Sequence, residues 1–96
     1  MSQLNILYNF RSLNFDERKF KIEYIILHYT ETETLDEAIK ILTCKKRKVS
    51  CHYLIDIDGQ IFNLVEEEKR AWHAGLSKWK GLDDINSRSI GIEIVN

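Results

Sequence analysis

Tyr24-Ile25-Ile26-Leu27-His28-Tyr29-Thr30 is a run of strand formers with a histidine near its end, and its reading decides the fold. Alternation sets Tyr24, Ile26, His28 and Thr30 on one face and Ile25, Leu27 and Tyr29 on the other. Apolar residues on both faces predict a strand buried on both sides and central in its sheet. His28 is then a satisfied core histidine or a metal ligand, and the strand alone leaves both open.

Working outward, helix signals follow at once. Thr34-Leu35-Asp36-Glu37 is a capping-box pattern, in which the Thr34 hydroxyl accepts from the Glu37 amide while Glu37 reaches back. Leu35, Ala38, Ile39 and Leu42 recur at helical spacing and predict an amphipathic helix running to about residue 43. The cations Lys45-Lys46-Arg47-Lys48 come after its end, where they suit the helix dipole. Asp58-Gly59 between 50–57 and 60–65 is a two-residue hairpin signal. A calcium loop there is excluded, because Leu54 and Val65 would occupy its first and twelfth ligand positions. Residues 4–8 read as a short edge strand, Asn14 to Lys21 as a polar loop, and Glu66 to Arg70 as a charged exit from the hairpin. From Ala71 to Arg88 no period holds, yet the segment carries Trp72, His73, Trp79 and Asn86. A long irregular loop with aromatics inside a small domain points to function.

Ser89 to Val95 returns to strand character, with Ile90, Ile92 and Ile94 on one face and Gly91, Glu93 and Val95 on the other. A carboxylate in an otherwise apolar strand is costly to bury unless it is paired or used. Gly91 on the same face leaves room for something to approach Glu93. His28 and Glu93 are distant in sequence, so only the fold can join them. Two buried strands that each end in one ionisable residue would suit a zinc ligand beside a general base.

Composition bounds the rest. Ninety-six residues argue for one domain with a modest core, since a chain of this size buries about 60–65% of its unfolded surface. Fourteen Lys and Arg against 15 Asp and Glu leave a net charge of −1. That balance favours neither nucleic acid nor a membrane surface as partner. Cys44 and Cys51 are too few for a disulfide scaffold, and with no signal-peptide pattern at the N-terminus they predict reduced thiols in a cytoplasmic protein, with an envelope location left open. Cys44 with Cys51-His52 matches no common zinc spacing, and His52 inside a strand reads as a structural hydrogen-bonding residue.

Five ordered blocks carry a resemblance. They are Ile26-Leu27-His28-Tyr29-Thr30, Val49-Ser50-Cys51-His52-Tyr53-Leu54-Ile55, Asp58-Gly59, Arg70-Ala71-Trp72-His73-Ala74-Gly75 and Asn86-Ser87-Arg88-Ser89-Ile90-Gly91-Ile92-Glu93. In order and spacing they resemble the type-2 N-acetylmuramoyl-L-alanine amidases, the AmpD-like zinc amidases related to peptidoglycan recognition proteins. The resemblance implies an α/β fold, a mixed β-sheet flanked by helices, with a zinc site at one end of the sheet. It implies His28 as first zinc ligand and Glu93 as general base in hydrolysis of the amide joining muramic acid to the L-alanine of a stem peptide. Peptidoglycan fragments, the muropeptides, are the implied partners. Lys48, Trp72, His73 and Asn86 are implied substrate-site residues. Some relatives use a tyrosine at the position held here by Cys51 in place of the carboxylate, so the presence of Glu93 favours the glutamate-base version.

The sequence departs from the family in one respect. Relatives continue past the Ser-Ile-Gly-Ile-Glu strand to a second zinc histidine, a lysine and an aspartate or cysteine ligand, none of which has a counterpart here. Residues 1–96 are therefore expected to be the N-terminal portion of a single amidase domain, C-terminally incomplete and inactive alone, with a complementing C-terminal segment as a partner. A non-catalytic peptidoglycan-binding module is the alternative.

Overall fold

Strand β7, Ser89–Ile94, pairs in parallel with a strand on each side. The computed structural model describes residues 4–74 and 81–96. Strands β1 (Ile6–Leu7), β3 (Tyr24–Tyr29), β4 (Tyr53–Ile55) and β5 (Ile61–Asn63) complete a five-stranded sheet in the order β1-β5-β4-β7-β3. The β4–β5 pair is antiparallel and the other pairs are parallel, so the sheet is mixed. Strands β2 (Phe15–Glu17) and β6 (Lys69–Ala71) form a separate antiparallel pair. Helix α1, Leu35–Thr43, lies on one side of the five-stranded sheet. The expected mixed sheet with helical cover is present.

Helix α1 begins where its sequence requires. The Thr34 hydroxyl accepts from the Glu37 amide at 3.2 Å and meets Glu37 Oε1 at 3.3 Å, so Glu37 reaches the hydroxyl. The predicted stripe packs inward. Ala38 and Leu42 join Cys51, Leu54, Phe62, Leu64 and Val95 in one core, with Leu35 and Ile39 against it. No helix among the described residues is long and apolar enough to cross a membrane.

Three expectations need correction. Strand β3 is the outermost strand among the described residues, and Ile25, Leu27 and Tyr29 are 68%, 62% and 63% exposed. Its alternation reports what each face prefers, whereas the interior positions went to β5, β4 and β7 through long-range pairing. The hairpin is also longer than two residues. Asp56 N–H donates to Gln60 C=O, and Gly59, at a φ of +90°, donates to Asp56 C=O. That pattern makes a three-residue loop closed by a left-handed glycine. Finally, the polar stretch after Asn14 contains strand β2, and the charged exit contains β6. Opposite charges face each other across the pair: Glu17 meets Lys69 at 2.7 Å and Asp16 meets Arg70 at 3.2 Å. A strand pair stabilised by cross-strand ion pairs carries no apolar alternation to read.

Candidate active site

The parallel register of β3 and β7 places His28 directly opposite Glu93, and Ile26 opposite Gly91. Paired residues of neighbouring strands share a face, so imidazole and carboxylate project on the same side of the sheet. Leu54 on β4 pairs with Glu93 from the other flank, which makes this the face that α1 covers. Glu93 is 8% exposed. It borders a cavity of about 180 Å³ whose walls include Thr30, Thr32, Leu42 and Val49. Burial raises its carboxyl pKa to about 7. That value is where a group that both takes and returns a proton near neutrality is most useful.

The three histidines of the chain cluster on His73, beside Gly91. The expected room above this glycine is filled by the protein itself, because a Cβ there would lie 2.3 Å from Cγ of His73. His28 and His73 meet edge to face with centroids 5.2 Å apart, and His73 and His52 do so at 6.1 Å. Hydrogen-bond partners assign the tautomers. Gly91 N–H can only donate, so His52 Nδ1 accepts it at 3.0 Å and Nε2–H donates to Lys69 C=O at 2.8 Å. His52 is thus fully buried with both nitrogens engaged, as expected of a structural histidine. Ile85 C=O can only accept, so the Ser89 hydroxyl donates to it at 2.7 Å. The Ser89 oxygen then accepts from His73 Nε2–H at 3.0 Å. His73 Nδ1 is left to accept from His28 Nε2–H, also at 3.0 Å. Burial, reinforced by the neighbouring cationic groups, lowers the His73 pKa to about 3, so the ring is neutral. Burial lowers that of His28 as well.

The other predicted site residues are spread around this cluster. Asn86 is buried, and its Oδ1 accepts the N–H groups of His73 and Ala74 at 3.0 and 2.8 Å, bracing the loop that carries His73. Trp72 is half-buried and is tied by its backbone to Ser50. Lys48 is exposed at a left-handed backbone position, next to Val49 of the cavity wall. Residues 75–80 of the aromatic loop, which include Trp79, lie outside the described residues. Cys51 is fully buried, and burial beside Glu93 pushes its thiol pKa up, which removes it as a nucleophile.

Two supporting residues were missed in the sequence. Ser89 reads there as the first residue of a strand and a member of the last motif block, with no role of its own. Arg18, in a polar stretch, gathers the carbonyls of Glu67, Lys69, Asn86, Ser87 and Ser89 and so joins the small sheet to the start of β7. Nothing local marks either role, since both depend on partners distant in sequence.

Among the described residues no three His, Cys, Asp or Glu side chains gather in a way that could hold a metal ion. His28 fits one ligand position, because its Nδ1 carries a lone pair with no partner among the described residues.

The sequence profile described as N-acetylmuramoyl-L-alanine amidase matches residues 18–96. The chain belongs to the N-acetylmuramoyl-L-alanine amidase family. One relative, the amidase AmiD of Escherichia coli K12, is 39% identical over 83 residues, covering 79% of this chain and 29% of AmiD. The 1,6-anhydro-N-acetylmuramyl-L-alanine amidase AmpD of the same organism is 51% identical over 47 residues, covering 49% of this chain and 26% of AmpD. Solved amidases share the fold. A selenomethionine derivative of AmpD superimposes with a TM-score of 0.78 at 25% identity, over 100% of this chain and 63% of that one. AmpDh3 of Pseudomonas aeruginosa does so at 0.71 and 40% identity, over 98% and 40%. The chain therefore spans less than a third of the curated relatives it matches.

Proposed function

We propose that this chain carries part of the active site of a zinc-dependent amidase. That enzyme would hydrolyse the amide between the lactyl group of N-acetylmuramic acid and the L-alanine of a peptidoglycan stem peptide. The observation that carries the reading is the pairing of His28 with Glu93 across two parallel strands. A similar amidase, AmiD, has been solved with anhydro-N-acetylmuramic acid-L-Ala-D-γ-Glu-L-Lys.

The roles follow from the residues. His28 supplies one metal ligand through Nδ1. Zinc, when bound, would supply Lewis-acid polarisation of the amide carbonyl and lower the pKa of water to about 7. Glu93 takes the proton of the attacking water and returns it to the leaving amine, which its raised pKa suits. Lys48 and Trp72 flank the substrate, while His73 and Asn86 shape the loop beside it. His52 and His73 have both ring nitrogens engaged. Catalytic zinc sites use three protein ligands, so the remaining ligands come from outside these 96 residues. The 96 residues alone are then inactive, and a complementing C-terminal segment restores turnover.

The test is muropeptide cleavage by the chain alone and with the complementing segment of a relative such as AmiD. Expected is zinc-dependent release of stem peptide only in the complemented form, reduced about 10²–10⁴-fold by Glu93→Gln. The short ligand set favours one other reading, a peptidoglycan-binding module without catalysis. Muropeptide binding that survives Glu93→Gln, with no turnover after complementation, would establish it.

A further inference from the structure

The hydrogen-bond chain through His73 runs in one direction only. It ends on Ile85 C=O, which has no proton to give, and this orders every proton before it: Ser89 O–H to Ile85, His73 Nε2–H to Ser89, His28 Nε2–H to His73. The His73 ring is held in place at each side. Gly91 lies beneath it with no space for even a methyl group between. Asn86 Oδ1 clamps the backbone N–H of His73 and of Ala74.

We propose that His73 is a positioning residue, which together with Ser89 holds His28 as the Nε2–H tautomer and so leaves Nδ1 as the nitrogen offered to a metal. The inference rests on the reading of His28 as a ligand. Metal-binding histidines commonly donate their second ring N–H to a carboxylate, a carbonyl or water, and that partner sets both tautomer and ring orientation. Here the partner is a second imidazole. A carboxylate in that place would add negative charge behind the ligand, whereas a neutral imidazole orients the ring without it. Gly91 follows from the same arrangement, as the residue that lets the His73 ring lie against β7 within reach of His28.

The experiment is a long-range ¹H–¹⁵N correlation spectrum of the uniformly ¹⁵N-labelled 96-residue chain in the presence of a chelator. Expected are a pyrrole-like Nε2 and a pyridine-like Nδ1 for His28. In His73→Ala the His28 Nδ1 resonance should move towards the pyrrole position as the second tautomer becomes populated. His73→Asn, whose Oδ1 can replace the acceptor Nδ1, should restore the wild-type shifts. The Nε2–H signature of His52, held by Gly91 and Lys69, reports that the fold is intact. Should His73→Ala lose that signature, Ser89→Ala removes only the far end of the relay, and the same shift of His28 is expected, smaller in size. A wild-type His28 protonated on Nδ1 overturns the proposal, as does a His28 tautomer unmoved in a folded His73 or Ser89 variant. Because the spectrum is read without metal or substrate, its outcome is separate from that of the muropeptide assay.

Discussion

The two faces of the five-stranded sheet carry similar strand formers and meet different surroundings. On the face under α1, Leu54 is fully buried, Phe62 and Val95 nearly so, and the same cover encloses Glu93. On the opposite face of β3, Ile25, Leu27 and Tyr29 stand in solvent. One strand supplies both environments. What separates them is the helix that packs on one side, and that contact also turns an ordinary glutamate into a carboxyl with a pKa near neutrality.

The contrast can be broken experimentally. The largest effect is expected from Leu54→Ala, which opens a cavity beneath α1 and should cost about 2–5 kcal/mol in urea unfolding. A cost below about 1 kcal/mol would mean that the helix does not pack there in solution. A smaller effect is expected at Glu93. Its folded pKa lies above the ordinary value of 4.5, at about 7, because burial disfavours the charge. The folded state therefore binds the proton more tightly than the unfolded one, so this contribution to stability is complete below about pH 4.5 and is lost as pH rises through about 7. Glu93→Gln should flatten that decline in metal-free protein. An unchanged slope would place the carboxylate in water. The smallest effect belongs to the open face, where Leu27→Ser should alter stability by no more than about 0.5 kcal/mol. A larger loss that depends on protein concentration would show the face to be covered by a second copy.

Much of the architecture was legible wherever the determining interactions are local. The capping residues and apolar stripe of 34–43 contain their own instructions, and the helix formed at those bounds. Gly59 marked the hairpin, though the hydrogen bonds that close its loop set a longer turn than the dipeptide suggested. Strands β2 and β6 were invisible because their pairing joins mostly charged residues far apart in sequence. At the site, the chemical type of His28 and Glu93 singled them out. The support of Ser89, Gly91 and Arg18 did not show, since a hydroxyl, a missing side chain and a cation carry no signal until their partners are known.

By itself the sequence determined which residues alternate, where α1 starts and stops, and that a histidine and a carboxylate each interrupt an apolar strand. These are consequences of backbone geometry within a few residues. Only the tertiary structure decided that β3 lies at the edge with β7 inside it, that His28 stands opposite Glu93, and that His73 fills the space above Gly91. Register between distant strands is set by the packing of the whole sheet against α1, and no local pattern in the chain contains it.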